Sequence, residues 1–260
     1  GQRIARAVEE RRALWVKKPL ILCLFAAILI ILSGCDSATA EDLYALPQLS
    51  EAYLQLQGEI NSLLDSGAEY SAPSSGTNRQ AVQLEDIDGD GTKEAIAFLS
   101  FPGSAKPQKI IIFRNLDGVY SEAARLEGEG TGIESISYLD MRADGVKEIA
   151  VGWRLADRVY ILSVYSMQDF QPTQIVNTDY TKYSTLDLDD NGRTDVVVIR
   201  VNGSDLTGEA AMYSMLEDGE VSEMTVPLSQ GVRSLSRVRT GKLIDNRQSI
   251  LIESTAGVSG

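Results

Sequence analysis

The chain has 260 residues, of which 24 are Lys or Arg, 37 are Asp or Glu and none is His, so its formal net charge is −13. The absence of histidine excludes Ser-His-Asp and Cys-His catalysis, histidine general bases and the usual zinc-hydrolase ligand sets. The acidic balance disfavours nucleic acid as a partner, because a polyanion must be met by basic patches, and no basic cluster follows Lys18.

The first segment has the order of a secretory signal. Basic residues end at Lys18, an apolar run of thirteen residues covers positions 20–32, and Ser33 and Gly34 follow. A transmembrane helix needs roughly 20 apolar residues, so the run is short for a permanent span. We predict a signal peptide over residues 1–34, with an uncleaved signal anchor as the alternative.

The end of this segment, Leu32-Ser33-Gly34-Cys35, resembles the lipobox of bacterial lipoproteins. The resemblance implies that the Cys35 sulfur carries a diacylglycerol and that the peptide is cut just before it. The mature chain would then be anchored to a bacterial cell membrane on its extracytoplasmic face. Because Cys23 lies inside the signal, no disulfide is available afterwards, and stability must come from core burial and metal. Since the chain begins with Gly1 rather than Met, we expect a fragment or an irregular gene model.

A linker and one helix are expected next. Residues 36–45 are mostly small and acidic, which suits a tether, so we assign a linker to residues 35–46. Apolar residues then recur at three- and four-residue steps after Pro47, and Gly67 stands where a helix would end. This spacing predicts an amphipathic helix over residues 47–67 that packs against the following domain. Residues 71–78, rich in Ser, Gly and Pro, indicate a loop.

The rest of the chain, residues 75–260, repeats. An acidic turn between two apolar strands recurs at residues 84–98, 139–153 and 186–199, and the first aspartates of the turns, Asp86, Asp140 and Asp187, are 54 and 47 residues apart. Each unit continues into a third apolar strand, a turn and a more polar fourth strand. The pattern therefore predicts an all-β array of four-stranded antiparallel units.

The array resembles part of a β-propeller. Four strands with a period of about 50 residues match one propeller blade, and neighbouring blades bury each other's faces. A fourth unit begins at residues 237–243, turns at Asp245-Asn246, and continues through residues 250–253 without an acidic loop. A closed propeller has roughly 4–8 blades, so we expect an incomplete ring, truncated after Gly260, with a small or open ring as the alternative.

Two of the turns have the composition of calcium loops. The first acidic loop (residues 86–94) and the third acidic loop (residues 187–195) both place oxygen-bearing side chains at positions 1, 3, 5 and 9 and glycine at position 6. Calcium takes about six to eight oxygen ligands, and glycine permits the tight bend. The carbonyl at position 7 would add a ligand. The alternative is an ordinary solvated Asp-Gly turn, but two equivalent loops favour calcium.

The context of these loops identifies the family that they resemble. An EF-hand requires Glu at position 12, where Ala97 and Val198 stand, and it requires flanking helices rather than apolar strands. Residues 80–253 resemble the FG-GAP/VCBS repeats of integrin-like propellers, although the Phe-Gly and Gly-Ala-Pro signatures are missing. Carried over by position, the resemblance implies that calcium is bound by Asp86, Asp88, Asp90, Thr92 and Glu94, and by Asp187, Asp189, Asn191, Arg193 and Asp195.

The second acidic loop (residues 140–148) departs from this pattern. It keeps the acids Asp140, Asp144 and Glu148 but has Arg142 at position 3, where a ligand oxygen is required. We therefore expect no metal in this loop. The guanidinium would pair with Asp140 or Asp144 and replace the cation.

These features predict a membrane-anchored, extracytoplasmic, propeller-like binding or scaffold module that is stabilised by calcium and has no catalytic activity. Its expected ligand is a protein or a glycan. The aromatic residues of the strands, Trp153, Tyr138, Tyr160 and Tyr165, are expected to pack between blades rather than bind this ligand. The alternatives are a carbohydrate-active propeller enzyme that uses a carboxylate pair, and a domain that braces a missing C-terminal region.

Overall fold

The computed structural model describes residues 50–243 and 247–256. The predicted signal peptide, Cys35, the linker and the Asp245-Asn246 turn lie outside the described residues. No helix in the described part of the chain is long and apolar enough to span a membrane.

The predicted helix is present and shorter than expected. Helix α1 covers Glu51–Asp65, and the side chain of its N-cap Ser50 accepts a hydrogen bond from the Tyr53 backbone N–H. The helix ends at the C-cap Ser66, and Gly67 then adopts a φ of 99°, which a residue with a side chain rarely adopts. Leu56 and Ile60 are buried on one face of α1, as the apolar spacing predicts.

The described residues after α1 form fifteen strands and one short 3-10 helix, Gln168–Phe170. The strands are β1 (Glu69–Tyr70), β2 (Val82–Glu85), β3 (Glu94–Ser100), β4 (Gln108–Leu116), β5 (Val119–Gly128), β6 (Gly132–Leu139), β7 (Glu148–Ala156), β8 (Val159–Ser166), β9 (Thr173–Asp179), β10 (Lys182–Leu186), β11 (Asp195–Asn202), β12 (Thr207–Met215), β13 (Val221–Pro227), β14 (Val232–Lys242) and β15 (Gln248–Ala256).

The strands form four antiparallel sheets in chain order. Sheet I has the order β1-β3-β4-β5, and β2 pairs with β3 beside β1. Sheet II is β6-β7-β8-β9, sheet III is β10-β11-β12-β13, and sheet IV is the hairpin β14-β15. The predicted all-β class is confirmed; sheets II and III have four strands each, sheet I has five and sheet IV has two. The three acidic loops join β2 to β3, β6 to β7 and β10 to β11.

The sheets pack face to face because their strands are apolar on both faces. In β3, Ile96 and Phe98 belong to a core shared with Ile149 and Val151 of sheet II. The alternate residues of β3 point to the opposite face, where they pack against α1 in a second cluster that includes Ala95, Ala97, Leu99, Leu56 and Ile60. A third cluster joins sheets II and III through Leu162, Val164, Val196 and Val198. Helix α1 and the first three sheets thus form consecutive layers.

The aromatic residues that were predicted to pack between units lie in these cores. Trp153 is buried between sheets I and II, and Tyr138 and Tyr165 pack against the same cluster. Tyr160 packs against the cluster between sheets II and III. None of the sheets formed by residues 50–243 and 247–256 closes on itself.

Candidate metal sites

All three acidic loops share one set of backbone hydrogen bonds, centred on the aspartate at position 1. A carboxylate oxygen of this residue accepts the N–H of the glycine at position 6: Gly91 donates to Asp86, Gly145 to Asp140 and Gly192 to Asp187, at 3.0, 3.1 and 2.8 Å. The three glycines have φ values of 87°, 88° and 83°. Only glycine adopts this conformation without strain, so its recurrence at position 6 follows from the loop geometry.

The acid at position 9 fastens the other end of each loop. It is the first residue of the following strand, and its carboxylate accepts the N–H of position 2. The three equivalent bonds join Ile87 to Glu94, Met141 to Glu148 and Leu188 to Asp195, at 2.9, 2.8 and 2.9 Å. The exposed fractions of these acids are 0, 0 and 1%. Each loop is therefore closed by a buried carboxylate.

Two of the loops gather carboxylates close enough to share one ion. Oxygens of Asp86, Asp88 and Glu94 lie within 4.8 Å of one another in the first loop, and oxygens of Asp187, Asp189 and Asp195 do so in the third. Such sets of hard oxygen atoms suit calcium. Positions 1, 3 and 9 of the predicted ligand sets are therefore brought together.

Positions 5 and 7 have a different arrangement. The side chains of Asp90 and Asn191 at position 5 accept the N–H groups of Thr92 and Arg193, at 2.7 and 2.8 Å. These bonds fix the backbone at position 7, whose carbonyls were the predicted ligands. The Arg193 side chain contacts a different part of the chain and donates to the Met215 carbonyl at 3.1 Å.

Glu94 has a buried oxygen that fits a metal ligand. Its Oε2 accepts the Ile87 N–H, whereas its Oε1 is buried without a hydrogen-bond partner among the described residues. An unpaired buried carboxylate oxygen is costly, and a cation bound between Asp86, Asp88 and Glu94 would remove that cost. The donor set of the first loop therefore fits calcium.

Asp195 is held more completely than Glu94. Its Oδ2 accepts the Leu188 N–H, and its Oδ1 accepts the Ser214 hydroxyl at 2.6 Å. A carboxylate oxygen has more than one lone pair, so these bonds leave room for a cation while they fix the orientation of the group. Ser214 lies in β12, nineteen residues further along the chain.

Arg114 of β4 also contacts the first loop. Its Nη2 lies 2.7 Å from Asp88 Oδ2 and 3.8 Å from Asp90 Oδ2, and its guanidinium stacks over Phe170 at 5.0 Å from the ring centroid. The arginine partly neutralises the two aspartates, of which Asp88 belongs to the carboxylate cluster and Asp90 does not.

In the second loop the position of Arg142 differs from the expectation. The predicted partners were Asp140 and Asp144, but Arg142 Nε lies 3.5 Å from Glu148 Oε1. Both oxygens of Asp140 already accept backbone N–H groups, whereas Glu148 Oε1 is fully buried and has no hydrogen bond from residues 50–243 or 247–256. The guanidinium therefore faces the buried charge, which most needs a counter-charge.

The buried carboxyls at position 9 have altered acidity. Burial is the largest cause and raises the pKa of Glu94, Glu148 and Asp195. The neighbouring aspartates raise the pKa of Glu94 and Asp195 further, whereas the Arg142 charge lowers that of Glu148. The sequence singled out no acid with a raised pKa, and only burial in the folded chain reveals these three.

Consecutive loops also contact each other. The Lys147 N–H donates to the Ile87 carbonyl at 2.8 Å, and the Thr194 N–H donates to the Asp140 carbonyl at 3.0 Å. A Cβ at position 89 would lie 2.9 Å from the Gly145 carbonyl oxygen, so the contact between the first two loops requires glycine at position 89. An ion that fixes one loop would therefore also fix the contact between neighbouring sheets.

Sequence reasoning missed two residues of these sites, Arg114 and Ser214. Both come from strands that are distant in sequence from the loops that they contact, and no spacing indicates such a contact.

No protein-family model matches the chain, and no curated protein matches it. The geometry of the loops therefore carries the functional argument.

Proposed function

We propose that the chain is a lipid-anchored, extracytoplasmic lipoprotein of a bacterial cell membrane whose four-stranded units form a calcium-stabilised, propeller-like, non-catalytic binding or scaffold module. The observation that carries the calcium part of this proposal is the buried Oε1 of Glu94, which has no hydrogen-bond partner among the described residues and lies beside Asp86 and Asp88, in a loop whose hydrogen bonds recur in the third loop. A cation completes this arrangement. The lipid anchor rests on the sequence Leu32-Ser33-Gly34-Cys35.

Calcium would act as a structural brace. Asp86, Asp88 and Glu94 would hold one ion and Asp187, Asp189 and Asp195 another. Each ion would join the turn after the first strand of a unit to the start of the second strand. Extracellular modules bind calcium with dissociation constants of ~10⁻⁴–10⁻³ M, which suits a site outside the cytoplasm.

The packing of α1 and the sheets supports a propeller-like arc. Sheets I, II and III pack face to face in chain order, as blades do. Helix α1 covers the other face of sheet I, which in a closed ring would meet the last blade. We propose that α1 takes the place of a neighbouring blade at the first sheet.

The non-catalytic assignment rests on where the acids lie. Glu94, Glu148 and Asp195 are buried and each holds the backbone of its own loop. The remaining loop carboxylates at positions 1 and 5 accept backbone N–H groups. These hydrogen bonds support a structural role for these acids within the loops.

Thermal unfolding of the full chain in detergent micelles tests the calcium brace. At a calcium concentration about 100 times the dissociation constant, each site adds about 2.7 kcal/mol, which corresponds to roughly 5–10 °C for a domain of this size. With two such sites we expect an increase of roughly 10–20 °C relative to calcium-depleted buffer, and magnesium serves as the control ion. Equal melting temperatures in the two buffers would refute the calcium brace.

The lipid anchor has a matched pair of variants. Cys35→Ala should abolish incorporation of labelled lipid and release the chain from membranes, whereas Cys23→Ala, inside the same segment, should leave both unchanged. Lipid labelling that persists in Cys35→Ala would contradict the anchor.

A further inference from the structure

A cleft of about 420 Å³ lies between sheets II and III, away from the acidic loops. Its walls come from the first strands of the two sheets, β6 and β10, from Tyr160 of β8 and Tyr180 before β10, and from the loop at residues 75–77. The volume is within the ~300–1,000 Å³ range of small-molecule sites. A ligand in this cleft would therefore contact two consecutive units.

Three tyrosine rings form a continuous aromatic wall in the cleft. The ring centroids of Tyr160 and Tyr180 are 5.6 Å apart, and those of Tyr180 and Tyr183 are 5.3 Å apart with the rings nearly perpendicular. Tyr180 is only 8% exposed, and the other two rings are partly exposed. The rings hold one another in place, so the wall presents fixed apolar surface to a ligand.

Hydroxyl groups of β6 and β10 lie in fixed positions next to the tyrosine wall. The Tyr183 hydroxyl is 3.0 Å from Ser135 Oγ and 3.2 Å from Ser137 Oγ. Ser75 attaches the loop to β6, because its N–H and its hydroxyl both donate to the Glu134 carbonyl, at 2.7 and 3.0 Å. The cleft is thus organised before any ligand arrives, which lowers the entropic cost of binding.

The Tyr180 hydroxyl is buried and makes no well-formed hydrogen bond to the described residues. Burial raises the pKa of Tyr180, and Ser135 lies near enough to lower that pKa by a smaller amount. It lies against Gly152, where a Cβ would collide with it, and beside Ser135 Oγ, which is already engaged with Tyr183. Buried hydroxyls are normally paired, so this hydroxyl in a residue that lines the cleft calls for a partner outside the described residues, which a water or a bound ligand would supply.

The charge of the cleft restricts the ligand further. Glu134 and Lys182 are its charged lining residues, one of each sign. The chain as a whole has a net charge of −13, which repels anions. Neither phosphate nor a strongly acidic ligand is matched by a single exposed lysine.

We propose that this cleft binds a neutral saccharide. The apolar C–H face of a sugar ring packs on the tyrosine wall, and its hydroxyls bond to the fixed hydroxyls of Tyr180, Tyr183 and the serines. The assignment rests on the proposed function, because it names the ligand class of the binding module.

The test uses the full chain in a zwitterionic detergent that has no sugar headgroup. The probes are an array of neutral oligosaccharides, acidic oligosaccharides and peptides, followed by calorimetric titration of the neutral saccharide that binds best. Tyr180→Phe and Tyr183→Phe each remove one hydroxyl from the cleft. The matched control is Tyr138→Phe, because the Tyr138 hydroxyl donates to Gln83 Oε1 at 2.8 Å, outside the cleft.

We expect neutral saccharides to bind and both cleft variants to weaken binding by about tenfold, with the control within about twofold of the unmodified chain. Tyr180→Phe should keep or raise the melting temperature, since it deletes an unpaired buried hydroxyl, so its loss of binding would not reflect unfolding.

Three results would overturn the proposal: no saccharide binds, acidic glycans or peptides bind instead, or the two cleft variants bind like the unmodified chain. If calcium still raises the melting temperature in such a case, the proposed function survives without the saccharide. If calcium has no effect either, the calcium-stabilised module itself fails.

Discussion

The first and second acidic loops have equivalent hydrogen bonds to the backbone and differ in the residue at position 3. In both, the aspartate at position 1 accepts the N–H of the glycine at position 6, and the buried glutamate accepts the N–H of position 2. Asp88 joins a carboxylate cluster in the first loop, whereas Arg142 faces Glu148 in the second. The turn is therefore built by hydrogen bonds, and position 3 decides whether a carboxylate cluster forms inside it.

The comparison also explains why such a loop persists without the cluster. Glu148 Oε1 and Glu94 Oε1 are both fully buried, and neither has a hydrogen-bond partner in the part of the chain that the structure describes. In the second loop a guanidinium 3.5 Å away supplies positive charge. In the first loop Arg114 contacts Asp88 and approaches Asp90, so Glu94 is left for a cation. The same buried acid is thus compensated by an arginine in one unit and by calcium, as we propose, in another.

The largest change in stability is expected when the residue at position 3 is exchanged between loops. Arg142→Asp leaves Glu148 buried without its counter-charge, and such a loss typically costs about 3–5 kcal/mol. We expect a lower melting temperature in calcium-depleted buffer and a larger recovery with calcium than in the unmodified chain, because the second loop then has the carboxylate pattern of the first.

The reverse exchange is Asp189→Arg in the third loop. It removes a carboxylate from the cluster and adds a guanidinium beside Asp195. Thermal unfolding should show a smaller calcium-dependent increase than in the unmodified chain. If both exchanges leave the calcium dependence unchanged, position 3 does not control metal binding.

Ser214→Ala tests the support of the third loop and has an intermediate effect. Asp195 Oδ1 loses the 2.6 Å bond from the Ser214 hydroxyl, and a hydrogen bond to a charged group contributes about 1.5–3 kcal/mol. We expect the melting temperature to fall in calcium and in calcium-depleted buffer. Ser222→Ala is the matched control, since the Ser222 hydroxyl donates only a long 3.5 Å bond to the Ser214 carbonyl. Equal losses in the two variants would contradict a specific role for Ser214.

The smallest expected effect is the dependence of folding stability on pH. A carboxyl whose pKa is raised on folding binds its proton more tightly in the folded state. The free energy of unfolding therefore falls as the pH rises from the ordinary pKa of the carboxyl through its raised pKa. The pKa of Glu94 and of Asp195 is raised by burial first. In calcium-depleted buffer these two groups should therefore destabilise the chain as the pH rises from about 4 towards neutrality.

Calcium should oppose this trend, because it binds the deprotonated carboxylates. The increase in melting temperature caused by calcium should shrink to about half or less between pH 7.5 and pH 5. A calcium increment that grows on acidification would contradict the assignment of Glu94 and Asp195 as ligands.

Much of the fold could be predicted from the sequence because it is encoded locally. The alternation in β3, with Ile96 and Phe98 on one face and Ala95 and Ala97 on the other, follows from the apolar run after the first loop. The helix spacing predicted the buried Leu56 and Ile60. The ends of α1 were predicted less well, since Ser50 caps the helix after Pro47 and Ser66 ends it before Gly67.

The candidate sites divide in the same way. Positions 1, 3 and 9 of the first and third loops were predictable, because a fixed spacing within one turn brings them together. Arg114 and Ser214 were not predictable, because their contacts depend on the registers of β4 and β12 with their neighbouring strands. The partner of Arg142 was predicted wrongly, although Glu148 occupies position 9 of the same loop and the same spacing brings it close. The sequence did not identify Tyr180 and Tyr183 as candidate binding residues, because their cleft forms only where sheet II meets sheet III.

The number of calcium ions bound per chain, measured by equilibrium dialysis of the full chain in detergent micelles, tests the two proposed calcium sites without relying on stability. We predict two ions, one at Asp86, Asp88 and Glu94 and one at Asp187, Asp189 and Asp195. Glu94→Gln and Asp189→Asn should each leave one, and Glu148→Gln, in the second loop, should leave two. No bound ion, or a count that Glu94→Gln and Asp189→Asn do not change, would contradict the account.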